Sequence, residues 1–128
     1  MIWFQAPSRA ERRVKILLQD LAVWLEKNYR IDHEIAVCLF DKANLSSTDK
    51  TTCNAEFYDG EEPEIRLATK WQKWANVLSW QMARLYLLDS FCHEFVHYQR
   101  WRRGDKNWRG HRGLQRQVNA MLNRFEKS

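Results

Sequence analysis

The sequence predicts an α+β fold: an N-terminal helix, a small three-stranded sheet with a hairpin, a long helix carrying a histidine motif, and a closing C-terminal helix. Three observations lead there. Apolar residues recur at three- and four-residue spacing over residues 14–25 and 114–125, and again around the histidine motif, as helices with one buried side require. Short runs rich in strand formers occupy 35–40, 53–58 and 64–67. With 128 residues, 45% of them hydrophobic and including seven Trp and six Phe, the chain has the bulk for one core, so one domain over residues 1–128 is expected.

Ser8-Arg9-Ala10-Glu11 has the spacing of a capping box, with Pro7 just outside it, so a helix is expected to start there and run to about Tyr29. Val14, Leu17, Leu18, Leu21, Trp24 and Leu25 form its apolar stripe. Ile35 to Phe40 is a continuous apolar run too short for an ordinary helix and reads as a central strand. Polar Lys42–Lys50 reads as a loop. Alternation at Cys53, Ala55 and Phe57, a turn at Asp59-Gly60, and alternation over Glu64–Leu67 predict the hairpin, with Asp59, Glu61, Glu62 and Glu64 as a solvated tip. Trp71, Trp74 and Leu78 suit a helical turn or two, and Ser79 can cap a helix from about Trp80 to Arg102. On that helix Leu85, Leu88, Cys92, Phe95 and Gln99 share one side, expected to face the core. Tyr86, Asp89, Ser90, His93, His97 and Arg100 share the other. Gly104–Asn107 breaks the pattern, and Leu114, Val118, Met121, Leu122 and Phe125 define the last helix.

Composition narrows the function classes. There is no basic n-region followed by a long apolar stretch at the N-terminus, and no 18-residue apolar run, so a soluble intracellular protein without a membrane partner is expected. Cys38, Cys53 and Cys92 are odd in number and far apart, which favours reduced, packed thiols over a disulfide framework or a zinc knuckle. The net charge of +5 is uneven: residues 1–96 carry 12 Lys/Arg against 14 Asp/Glu, residues 97–128 nine against two.

The motif is His93-Glu94-Phe95-Val96-His97. Residues four apart on a helix sit one turn above each other, so His93 and His97 can aim at one metal ion. Glu94, about 100° around the helix, can reach a water at that metal without ligating it, which makes it the candidate general base of a zinc hydrolase. A catalytic zinc takes three protein ligands and keeps one position open. His111 is the first candidate for the third place, since it follows a glycine-bearing loop and opens a helix that must fold back on the core. Asp105 and Glu126 compete, His33 reads as a surface residue, and Asp89, one turn before His93, could orient that imidazole from behind.

The order of helix, small sheet with hairpin, H-E-x-x-H helix, loop and Gly110-His111 before a closing helix resembles the SprT-like (Spartan-type) zinc metallopeptidase domain, from about Ser8 to Phe125. Where that family commonly has Gly after the third His and an aromatic four positions on, this chain has Arg112 and Gln115. The resemblance implies a zincin-like minimal core, a single peptidase domain over residues 1–128 without the zinc ribbon many members carry, and proteolysis of DNA-bound or DNA-crosslinked proteins.

The expected chemistry is metal-assisted hydrolysis of a protein or peptide. His93, His97 and His111 hold zinc, and Glu94 takes a proton from water and passes it to the leaving amine. Substrate is expected to lie extended beside Glu64–Leu67. Tyr58, Tyr86 and Arg100 are candidate donors to the oxyanion, and spacing does not choose among them. Two other readings fit the sequence: a zinc-binding but inactive scaffold, and a basic nucleic-acid-binding module. For the latter, Arg102, Arg103, Lys106, Arg109 and Arg112, with Trp108 for base stacking, could hold single-stranded DNA.

Overall fold

The computed structural model describes residues 1–6, 8–46 and 52–128. The elements, in order, are β1 (Ile2–Phe4), α1 (Arg12–Asn28), β2 (Ile35–Phe40), β3 (Leu45–Ser46), β4 (Thr52–Cys53), β5 (Ala55–Tyr58), β6 (Glu64–Ala68), a 3-10 turn at Trp71–Lys73, α2 (Trp80–Arg102) and α3 (Leu114–Glu126). This is α+β, with three helices and a small mixed sheet. The sheet has four strands instead of the expected three, in the order β1-β2-β6-β5. β1 runs parallel to β2, with Ile2 opposite Ile35 and Phe4 opposite Val37. Three residues are too few to show an alternation, so only the pairing reveals this strand.

The expected hairpin forms: β5 pairs antiparallel with β6, Phe57 opposite Ile65. β6 is also parallel to β2, Val37 opposite Ile65, so it lies inside the sheet, with β5 at one edge and β1 at the other. Phe4, Val37, Ile65 and Phe57 thereby make one row across the core face, because side chains alternate along each strand. Cys53 belongs to β4, not to the hairpin, and pairs with Leu45 in a separate two-stranded ribbon. Part of the stretch read as a loop, Leu45–Ser46, is therefore strand, and residues 47–50 fall outside the described residues, as does Pro7.

Helix α1 begins four residues later than Ser8, and the capping box does not form. Glu11 occupies the N-cap, not the third helical position. Its carboxylate accepts from Trp71 Nε1 at 3.2 Å and Gln72 Nε2 at 2.9 Å, while Ser8 Oγ turns to the Ala10 N–H. The start of α1 is tied to the turn before α2 by these bonds instead of by a local cap. The stripe is as read: Val14, Leu17, Leu18, Leu21 and Leu25 are buried. Ser79 does cap α2, accepting from Met82 N at 3.3 Å.

Helix α2 packs against α1, α3, β5 and β6. It does not have one core side throughout. Leu88, Cys92 and Phe95 are fully buried, but Leu85 on the same predicted face is 57% exposed and Gln99 is half-buried. On α3, Leu114, Val118 and Met121 are buried, with Leu122 and Phe125 partly so. Cys38 and Cys92 are buried thiols, and burial pushes both up from the usual thiol range. Among the described residues, no helix is long and apolar enough to cross a membrane.

Candidate metal centre

His93 and His97 stand one turn apart on α2, with ring centroids 4.9 Å apart. The chain then leaves the helix through Gly104, in the left-handed region at φ 77°, and makes tight turns closed by Trp108 N to Asp105 O and Gly110 N to Asn107 O. It re-enters a helix at Gly113, φ 69°, a backbone conformation that a side chain would strain. This excursion brings the His111 ring to 5.2 Å from His93 and 5.3 Å from His97. One ligating atom from each imidazole lies within 4.8 Å of the others, so the three can hold a metal ion.

The donor set suits a cation. His97 Nδ1 lies 2.6 Å from the Trp108 carbonyl, and a carbonyl can only accept, so Nδ1 carries the proton and Nε2 keeps its lone pair for a ligand. Burial, together with the neighbouring imidazoles and the Arg100 guanidinium, lowers the pKa of His93 to about 4. Burial lowers His97 as well, against the opposing pull of the Trp108 carbonyl. Both rings are thus held neutral, the form that ligates metals.

Glu94 is 7% exposed and stands beside this cluster, its Oε2 4.0 Å from His93 Nε2. Burial raises its pKa to about 8, opposed by a hydrogen bond from the Phe57 backbone N–H on edge strand β5 and reinforced by the charge of Glu56. The carboxyl is therefore anchored between α2 and the sheet edge, next to the imidazoles but outside their cluster. A bound cation would lower its pKa again.

The competing ligands are engaged elsewhere. Asp105 accepts from Asn107 N at 2.8 Å, and Glu126 pairs with Arg84 at 2.6 Å. His33 is not a simple surface residue: its Nδ1 is 2.9 Å from the Tyr98 hydroxyl and its ring lies 4.9 Å from that of Trp101. Asp89 accepts from Gln115 Nε2 at 2.8 Å, and its charge acts on His93 only through space.

Two of the three oxyanion candidates are held by other partners. Arg100 is 9% exposed and gives its guanidinium to the Gly110 and Arg112 carbonyls and to Gln117 Oε1. Tyr58 alternates with Phe57 to the opposite sheet face, where the Arg66 guanidinium sits 4.7 Å from its ring. Tyr86 is about 10 Å back along the helix, and helical side chains lean toward the N-terminus, away from His93. The expected substrate strand is corrected too, because β6 is paired on both sides; the edges of the sheet are β1 and β5, and β5 is the one whose Phe57 N–H meets Glu94.

The basic residues divide into two groups. Arg102 donates to Asp32 Oδ2 at 3.0 Å and is a structural link. Trp108 is half-buried against Phe57, ring centroids 5.5 Å apart, under the Arg109 guanidinium at 4.4 Å, so its faces are already covered in part. Arg103, Lys106, Arg109 and Arg112 line one cleft together with His111. The participants missed from sequence are the Phe57 N–H and the Trp108 carbonyl, backbone groups that carry no residue-type signal. Arg100 was visible on the motif face, but its acceptors were not.

Comparison with protein-family models, with curated proteins and with solved structures yields no match to this chain.

Proposed function

We propose that the chain is a zinc-dependent metalloendopeptidase of the SprT-like kind. The observation that carries this reading is Glu94, a carboxyl buried beside three converging imidazoles yet not one of them. Ligation by His93, His97 and His111 would use the neutral imidazoles that zinc prefers. Zinc held there supplies a Lewis acid, which lowers the pKa of water toward about 7 and polarises a carbonyl. Glu94 accepts the proton of the attacking water and returns it to the leaving amine. The Phe57 N–H fixes one carboxylate oxygen, leaving the other for proton transfer. Strand β5, as the sheet edge next to Glu94, is where an extended peptide adds.

The cleft of Arg103, Lys106, Arg109 and Arg112 beside His111 supports a substrate that is protein bound or crosslinked to DNA, with single-stranded DNA held by phosphate contacts. Purified protein should carry one zinc per chain and cleave an unfolded protein. His111→Ala should lose most of the metal, whereas His33→Ala should keep it. Zinc without cleavage, under conditions that include single-stranded DNA, would identify an inactive scaffold, and full zinc retention in His111→Ala would remove that residue from the site. For the nucleic-acid arm, reversing Arg103, Lys106 and Arg112 to Glu should weaken binding in fluorescence anisotropy and flatten its salt dependence. Equal binding by wild type and reversal would reduce the basic tract to a solvated face.

A further inference from the structure

We propose that Arg100 is the positioning residue that presets His111 as the third metal ligand; the inference rests on the metal-centre reading above. Arg100 lies one turn beyond His97 on α2 and is 9% exposed. Its Nη1 donates to the Gly110 carbonyl at 3.0 Å, and its Nη2 donates to the Arg112 carbonyl and to Gln117 Oε1, both at 2.9 Å. Gly110 and Arg112 flank His111, so one guanidinium grips the backbone on both sides of the ligand. The turns around it are closed by short-range bonds alone: Trp108 N to Asp105 O, Gly110 N to Asn107 O and Leu114 N to His111 O. Those bonds shape the loop, and the His97 Nδ1–H bond to the Trp108 carbonyl at 2.6 Å ties it to α2 three residues before His111, which leaves the backbone on either side of the ligand to Arg100. His111 is itself exposed, and its ring lies near those of His93 and His97, so side-chain packing supplies little restraint. The guanidinium joins the helix that carries two ligands directly to the carbonyls on both sides of the third. A planar fork reaches divergent carbonyls that the single ammonium of Lys cannot span with equal geometry.

The three acceptors are all neutral. Arg100 therefore brings a positive charge that acts on His93 and His97, and by charge alone its removal should tighten metal binding. By positioning, its removal should weaken binding, because His111 must then be ordered at the moment of ligation. The two effects have opposite signs, so the sign of the change is decisive.

The test measures zinc affinity by chelator competition, and the visible spectrum of the cobalt-substituted protein, for wild type, Arg100→Met, Arg100→Lys, His111→Ala and the Arg100→Met/His111→Ala double variant. Removing partners that orient a metal ligand costs about 10–100-fold in affinity, and Arg100→Met should fall in that range, with Arg100→Lys between it and wild type. The cobalt spectrum of Arg100→Met should move toward that of His111→Ala. In the His111→Ala background, Arg100→Met should change affinity by no more than about twofold, since its route of action is gone. Unchanged or tighter zinc binding by Arg100→Met, or an equal loss in the His111→Ala background, overturns the proposal. Should Arg100→Met fail to fold, Arg100→Lys carries the same comparison. If wild type binds no zinc, the metal-centre reading fails by itself. Amide exchange in the metal-free protein then judges Arg100: faster exchange over residues 110–114 in Arg100→Lys, with α1 unchanged, supports the clamp, and unchanged exchange overturns it.

Discussion

The two halves of α2 are built on different terms. From Trp80 to Asp89 the helix is buried only at Ala83, Leu87 and Leu88, while Met82, Leu85 and Tyr86 stand exposed. From Phe91 to Arg100 every residue except His93 and Gln99 is buried, because α1, α3, the sheet and the loop to His111 surround it. The first half is an amphipathic surface helix. The second turns only His93 and Gln99 partly to solvent, and its buried polar residues survive there by having assigned partners: Glu94 the Phe57 N–H, His97 the Trp108 carbonyl, Arg100 the loop carbonyls. Surrounding a helix in this way is what lets it hold the Glu94 carboxyl and the His97 imidazole in a fixed arrangement, and it is where substitutions should hurt most.

The largest effect should come from Glu94→Gln. The amide can still accept from Phe57 N–H but cannot take a proton, so cleavage should fall about 10²–10⁴-fold while zinc content persists. Unchanged cleavage would place the activity elsewhere. The same variant reads the electrostatics of the buried half. In metal-free protein Glu94 has a pKa near 8 against 4.5 for the free group, so the folded state binds the extra proton between those values. Its contribution to stability is fully present below about 4.5 and is lost as pH rises through 8. Wild type should therefore lose stability relative to Glu94→Gln over that window in urea titrations. Parallel pH profiles would mean the carboxyl is not desolvated.

How far the sequence could be read follows the same division. Helices α1 and α3 each present one apolar stripe, and spacing alone places Leu17, Leu21, Leu25, Val118 and Met121 in the core, where they lie. The cluster of His93, His97 and His111 and the carboxyl of Glu94 beside it were legible because histidine is rare and the spacing is chemical. The helix faces of α2 are not legible past Phe91, since a two-sided pattern cannot describe a segment buried nearly all round, and extending the face of Leu88, Cys92 and Phe95 back by a turn puts the exposed Leu85 inside. β1 was too short to show a period. The capping box failed because Glu11 bonds to Trp71 and Gln72, residues 60 and 61 positions away.

Next in size is packing within the surrounded half. Phe91 is fully buried, near Phe4 of β1 at a ring separation of 6.5 Å. Phe91→Ala should cost about 3–5 kcal/mol, from lost burial plus a cavity that rigid neighbours cannot close. A loss below about 1 kcal/mol in chemical denaturation would mean that this segment is loosely packed. A smaller loss should follow Tyr98→Phe. The Tyr98 hydroxyl accepts from the Asp32 backbone N–H at 3.1 Å and lies 2.9 Å from His33 Nδ1, joining α2 to the segment before β2. Its removal should cost about 1–2 kcal/mol with no change in zinc affinity. A drop in zinc affinity would show that this link bears on the site.

The smallest effect belongs to the first half of the helix and is the most direct check on where the division falls. Leu85 sits three residues before Leu88 and shares a helix face with it by spacing, yet it is 57% exposed where Leu88 is fully buried. Little apolar area is returned to water by Leu85→Gln, and glutamine has nearly the helix propensity of leucine, so stability should change by less than about 0.5 kcal/mol. Leu88→Ala, one turn on, should cost about 2–5 kcal/mol. Comparable losses for the two would place Leu85 under cover, by other parts of this chain or by another molecule, and would move the boundary of the surrounded segment back by a turn. A concentration-dependent loss for Leu85→Gln would identify a second copy as that cover, since contacts within one chain do not depend on concentration.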